Sequence, residues 1–242
     1  GDGTAWAFNL GALISPTKEV KVGLSYRSPF TLKVNKGDLF LTELNNTIPI
    51  AAFNNATMRA AFGGVDIFHT KGTTYINMPA TAAVGVSYTL DKLTLEADAD
   101  FTFWSSFKRF DIDYDDPLGR VPATRSTRNY RDTVAFYLGG EYRITKPLAL
   151  RLGFRYDPTP VSPTSMSPDL PDATKLYYSA GMGYKYSSWT FDLAYMYMSK
   201  RDRTVNNLVA STTFPGLVDG TGFNGKWSGF AHLVAMDIGY KF

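Results

Sequence analysis

The chain has 242 residues, 44 % of them apolar and 19 % charged, which is too apolar for disorder and enough for one large domain, residues 1–242. A net charge of +3 is too small to point to nucleic acid, and the absence of cysteine removes disulfide scaffolds, thiolate metal sites and thiol catalysis together. No run of about 18 apolar residues exists, so helical membrane spans are excluded, and with no signal peptide ahead of Gly1 the chain is expected to be mature or truncated rather than cytosolic.

Strand-like alternation begins at once. Trp6, Phe8, Leu10, Ala12 and Ile14 alternate with Ala7, Asn9, Gly11 and Leu13. After the SPTKE turn, Val20, Val22, Leu24 and Tyr26 alternate with Lys21, Gly23, Ser25 and Arg27. Residues 29–71 lose the pattern and read as a long loop, with room for one or two short helices in 41–62. A third strand is expected from about Thr73 to Leu90, bent or bulged at Pro79. Asp91-Lys92 turns the chain into a fourth, Leu93 to Phe103, and a polar loop follows from about Asp111 to Asn129. Strands five and six run over Val134–Ile144 and Leu148–Tyr156, followed by a Pro-rich loop, Asp157 to Ala173. Strands seven and eight cover Leu176–Tyr186 and Trp189–Tyr197, and a loop from about Lys200 to Lys226 leads to the last strand.

That last strand is the clearest. From Phe230 every second residue to Phe242 faces one way and is apolar except His232, while Ala231, Leu233, Ala235, Asp237, Gly239 and Lys241 face the other. At about 3.3 Å per residue it crosses a bilayer's hydrocarbon core even when tilted. Aromatics stand at both ends, where a spanning strand meets headgroups.

Two regularities set the class. Connections alternate between short, at 15–19, 90–92, 144–147 and 187–188, and long, as in a membrane barrel with tight inner turns and long outer loops. The apolar face is also almost free of charge, whereas a soluble sandwich would carry more charge outside and would not sort its connections by length. The expectation is an all-β, antiparallel transmembrane barrel in a bacterial outer membrane. Nine strands is an odd number, so either a strand hides in 29–71 or an N-terminal portion of the barrel is missing.

The segments GDGTAWAFNLGAL, SYRS (Ser25 to Ser28), NMPA (Asn77 to Ala80), FWSSF (Phe103 to Phe107), RDTVAFYLGGEY, RLGFRYDPTPV and PDLPDATKLYYSAGMGY follow one another in this order. Together they resemble the C-terminal part of the FadL/TodX-type transporters of long-chain fatty acids and hydrocarbons. The resemblance implies a monomeric fourteen-stranded barrel plugged by an N-terminal hatch, of which the hatch and first five strands are absent here. It also implies a hydrophobic small-molecule ligand, passive transport without cofactor, metal or catalytic step, and contact with outer-membrane lipid and lipopolysaccharide. Tyr156, Asp157, Pro160, Val161, Pro171 and Asp172 match the family's D-x-x-P-V…P-D loop. Lys175 keeps a charge that the fatty acid transporter supplies as Arg, whereas the family's carboxylate-associated lysine falls near Ser126.

Ligand-binding candidates are therefore Trp104, Arg125, Arg128, Arg131 and Lys175. The arginines, with Arg120, suit a carboxylate or phosphate headgroup, while lipopolysaccharide contact or an ordinary solvated loop is the plainer reading. Trp104 suits an acyl chain or aromatic ring, and plain interior packing serves equally well. The inward Glu96, Asp98 and Asp100 are expected to be neutralised by Arg143, Arg151 and Arg155. Leu39–Leu41, Ile48–Phe53 and Met58–Phe62 in the long loop suggest an apolar capture groove. An outer-membrane phospholipase or acyltransferase would need a nucleophile beside a histidine, and His69 lies in a loop while His232 and Ser228 are about 13 Å apart along a strand. A general porin for small hydrophilic solutes is the remaining alternative.

Overall fold

The computed structural model of the chain describes residues 1–42, 67–115, 123–166, 170–206 and 224–242. Its strands form two antiparallel sheets. The larger, nine-stranded sheet contains β1 (Asn9–Ile14), β2 (Val20–Arg27), β5 (Thr81–Leu90), β6 (Leu93–Thr102), β9 (Thr133–Arg143), β10 (Leu148–Asp157), β11 (Lys175–Tyr186), β12 (Trp189–Val205) and β13 (Gly225–Tyr240), in that spatial order. These correspond to the nine expected strands. The smaller sheet contains β3 (Phe30–Thr42), β4 (Ile67–Met78), β7 (Arg109–Tyr114) and β8 (Thr124–Thr127); a strand within 29–71 was one of the two alternatives, but a separate sheet was not expected.

Register turns the period-two pattern into a wall. Leu93, Tyr142, Leu150, Met182, Leu193 and Met236 follow one another across six strands on one face, and all six are exposed. An apolar surface of this extent suits lipid rather than water. Aromatic residues bracket it. Beside the tight turns, the Trp189 and Tyr240 rings stand 4.8 Å apart. Six and eight residues further along β12, or about 20 and 26 Å of strand, Tyr195 and Tyr197 meet His232, and Tyr197 also meets Phe230. Tilted by about 35–45°, the longer separation projects to about 18–21 Å, most of an apolar band about 25 Å tall. Residues of β12 beyond Lys200 extend past that aromatic level.

The opposite face of the wall is polar, but its charges pair differently from expectation. Arg151 of β10 holds Glu141 of β9 at 2.8 Å and Asp192 of β12 at 2.6 Å, Arg143 joins Glu141 at 3.2 Å, and Arg155 joins Asp157 at 3.1 Å. Glu96, Asp98 and Asp100 form no ion pair with these arginines among the described residues, because register sets Asp98 opposite Tyr137 and Arg155 between Tyr137 and Tyr177. The Arg155 guanidinium is stacked there, 4.7 and 5.1 Å from the two ring centres.

Three expectations are corrected. The segment 29–71 is not loop throughout, since β3 pairs with β4 over Phe30–Thr42, and His69 belongs to β4. The helices and capture groove envisaged for 41–62 lie almost wholly outside the described residues. The expected third strand is two: β4 ends at Met78 in the small sheet and β5 starts at Thr81 in the wall, so the bend at Pro79 is a change of sheet. Proline has no N–H to offer a ladder, and a strand is apt to end where it stands. The polar loop after β6 likewise folds into the β7–β8 hairpin. Finally, β1 and β13 are the two edges of an open sheet.

Candidate functional site

The candidate residues gather at the end of the wall that carries the long connections, though not all at one point. Past β6, FWSSF makes a single 3-10 turn, Trp104–Ser106, closed by the Phe107 amide donating to the Trp104 carbonyl at 2.8 Å. The turn sets the Trp104 ring edge-on to Phe107 and Tyr130, with centroids 6.4 and 5.9 Å away. Phe107 and Tyr130 are buried together with Val161, Met166 and Val205, and Ile76, Phe110 and Trp227 pack around them. Trp227 stands opposite Arg203 and three residues before Phe230, so alternation puts it on the polar side of the wall. Apolar and aromatic side chains thus converge on the polar side of the wall at the end that carries the long connections. Sequence had pointed to Trp104 alone, although Phe107 and Tyr130 sit in and beside the segments that suggested it.

The Pro-rich loop after β10 is strapped over this cluster by a polar network centred on Asp172. One carboxylate oxygen takes Lys175 Nζ at 2.6 Å, and the other accepts from Thr159 Oγ1 at 2.7 Å. Arg203 donates to the carbonyls of Asp172 and Val161 at 2.9 and 2.6 Å, and Lys200 donates to Pro171 O at 3.1 Å. Burial lowers the pKa of Arg203 from its ordinary value and Asp172 opposes the shift. Arg203 was missed from the sequence because it lies beyond the clean alternation of β12, past an irregularity between Lys200 and Arg203.

The arginine candidates separate. Arg131 joins the strap, its amide donating to Pro160 O at 3.0 Å and its guanidinium to Thr159 O at 3.4 Å. Arg128 is 2 % exposed, and its amide donates to Lys108 O at 2.8 Å. Arg125 sits on β8 in the small sheet and is held by Asp113 at 2.5 Å. That bond raises its pKa further. Arg120 lies outside the described residues. Structure therefore brings Trp104, Arg131 and Lys175 to the cluster and loop network at one end of the wall and turns Arg125 to an exposed ion pair. No group of acidic, histidine or cysteine side chains suited to a metal occurs among the described residues. His232 faces Tyr195, Nδ1 to hydroxyl 2.7 Å, on the apolar face.

Comparison with known proteins agrees with the fold. Residues 1–242 match the family described as outer membrane protein transport protein (OMPP1/FadL/TodX). An outer membrane protein of Neisseria meningitidis serogroup B is 28 % identical, over 99 % of this chain and 52 % of its own length. The long-chain fatty acid transport protein of Escherichia coli O6:H1 is 26 % identical, over 93 % and 50 %. Among solved structures, a Pseudomonas aeruginosa FadL homologue superposes with a TM-score of 0.74 at 24 % identity, over 97 % of this chain and 52 % of that one. The Pseudomonas putida toluene transporter TodX gives 0.59 at 15 %, over 98 % and 49 %. The chain spans about half the length of the curated relatives it matches.

Proposed function

Because the chain belongs to the outer membrane protein transport protein (OMPP1/FadL/TodX) family, we propose that it forms part of a passive outer-membrane channel for hydrophobic compounds, long-chain fatty acids or aromatic hydrocarbons, with no catalytic step. The observation that carries this reading is the apolar convergence at the mouth. Trp104 and Trp227, partly exposed over the buried Phe107, Tyr130, Val161 and Met166, supply apolar surface on the side of the wall that is otherwise polar. Such surface takes up apolar molecules where a polar pore would not. It lies beside the Pro-rich loop, within reach of a compound arriving from outside. Trp104, Arg131 and Lys175 are the ligand-facing candidates on this reading, and the barrel works as a monomer surrounded by lipid and lipopolysaccharide.

The names of two relatives support the range of ligands, one a long-chain fatty acid transport protein and the other a toluene transporter. A general porin would instead need a wide polar lumen. Cells lacking their own hydrophobic-compound transporters and carrying the full-length protein should take up a labelled long-chain fatty acid or toluene faster than control cells. Liposomes holding the protein should swell slowly in sugars. Rapid sugar permeation with uptake of neither hydrophobic compound would refute the proposal.

A further inference from the structure

Near the end with the long connections, β12 carries one residue more than its partner. Between the rungs Lys200–Gly229 and Arg203–Trp227, β12 places Arg201 and Asp202 where β13 places Ser228 alone. That is the count of a β-bulge, which re-aims the side chains beside it. Lys200 and Arg203 both turn inward, since their cations reach carbonyls of the Pro-rich loop. The two residues between them are exposed. Asp202 meets Lys226 at 2.6 Å, and Lys226 alternates with the inward Trp227. The bulge therefore sets Arg201 and Asp202 together on the outer side, where plain alternation would have shown only one of them. Asp202 and Lys226 neutralise each other. Arg201 is left over: its amide donates to Thr174 O at 2.8 Å, but its side chain has no ion pair or hydrogen bond with another described residue.

We infer that Arg201, presented by this bulge, binds a phosphate of lipopolysaccharide in the outer leaflet. The inference rests on the reading above, which surrounds the barrel with lipid and lipopolysaccharide, and names one point of contact. Height on the wall supports it. Arg201 stands two residues beyond Ser199, whose rung partner Phe230 belongs to the outer aromatic level. Two residues of strand tilted by about 35–45° rise about 5 Å. Arg201 thus falls within a headgroup layer about 5–7 Å deep. Charge supports it as well. The phosphates of lipid A are monoesters with close to two negative charges at neutral pH, and a guanidinium offers them two parallel N–H bonds. A glycerophospholipid diester carries a single charge. Ser199 and Ser228 share the outer side by alternation with Phe230 and Trp227, so their hydroxyls are placed to donate to the same phosphate. Arg125, by contrast, stands in the small sheet and is tied to Asp113.

The test titrates lipid A, phosphatidylglycerol and phosphatidylcholine, one at a time, into the detergent-purified full-length protein and counts bound lipid by native mass spectrometry. Arg201→Gln should weaken lipid A about fivefold, the effect of one cation at a charged membrane surface. Phosphatidylglycerol should lose less, and phosphatidylcholine nothing. Arg201→Lys should recover only part of the loss, because an ammonium lacks the planar fork. Arg125→Gln should leave lipid A binding unchanged, which separates a site from a general loss of positive charge. Cells carrying full-length Arg201→Gln should take up a labelled hydrophobic compound as wild type does, which also shows that the variant folds. Unchanged lipid A affinity in Arg201→Gln, an equal loss in Arg125→Gln, or an equal loss for phosphatidylglycerol would overturn the inference while the channel reading stands. Failure of wild type to take up any hydrophobic compound would overturn the channel reading and leave the lipid A result to stand on its own.

Discussion

Arg151 of β10 reaches across β11 to Asp192 of β12 at 2.6 Å, passing over Gly183, where a side chain would collide with both partners. A Cβ built on Gly183 falls 2.6 Å from Asp192 Oδ1 and 3.0 Å from Arg151 Nη2. Three strands are thereby tied on their polar face by one guanidinium, which also holds Glu141. The absent side chain at 183 is what lets the tie lie flat.

This tie should nevertheless be weak. Arg151 and Asp192 are 46 % and 39 % exposed, so water and salt screen them. Arg151→Ala is expected to cost about 1 kcal/mol or less in lipid-vesicle unfolding, and less still in high salt. A loss of several kcal/mol would mean that the inner face is drier than its exposure indicates.

One residue away the expectation reverses. Leu150 and Leu193 are 44 % and 46 % exposed on the apolar face, between the two aromatic levels. Leu150→Arg or Leu193→Arg should cost about 2–4 kcal/mol, the penalty for a cation near mid-bilayer. Unfolding titrations in vesicles measure it, and wild-type stability in both variants would mean that the faces are assigned the wrong way round.

Tyr195 and His232 share a hydrogen bond on that same face, at its outer aromatic level. Tyr195→Phe should cost about 1 kcal/mol by leaving the imidazole unsatisfied. Joining it to His232→Phe should recover most of the loss, since replacing both partners leaves nothing unsatisfied. A strictly additive double variant would show that the pair is not coupled.

Arg203 donates to two carbonyls at once, a geometry that a planar fork provides and an ammonium does not. Arg203→Lys is therefore expected to behave like Arg203→Ala, with residues 158–174 cut faster by protease than in wild type. Rescue by lysine would show that charge rather than shape holds the strap.

The wall was legible because every strand of it repeats an apolar residue at period two between recognisable turns. The small sheet was not, and β3 shows why. Phe30, Leu32 and Val34 alternate correctly with Thr31 and Lys33, but the register then slips between Val34 and Gly37, where Lys36 adopts a φ of 51°. The slip interrupts the run after five residues, too short to read as a strand inside a polar stretch. Of the site, Trp104 and Lys175 could be picked out by residue type and position. The network around Asp172 depends instead on Thr159 and Arg203, brought together by the pairing of β10, β11 and β12 and by loop contacts. The Asp172–Lys175 spacing of three was the one local hint, and it is common enough to be uninformative alone.

The change of sheet at Pro79 has a consequence for how such a surface can vary. Pro79 and Ala80 are buried, the Phe103 amide donates to Ala80 O at 3.0 Å, and the wall ladder starts afresh at Thr81 opposite Arg27. The β3–β4 hairpin is thus inserted between two wall strands that already pair with each other. The register of the wall is therefore set by β2 and β5 alone and does not depend on the length of chain that connects β3 to β4.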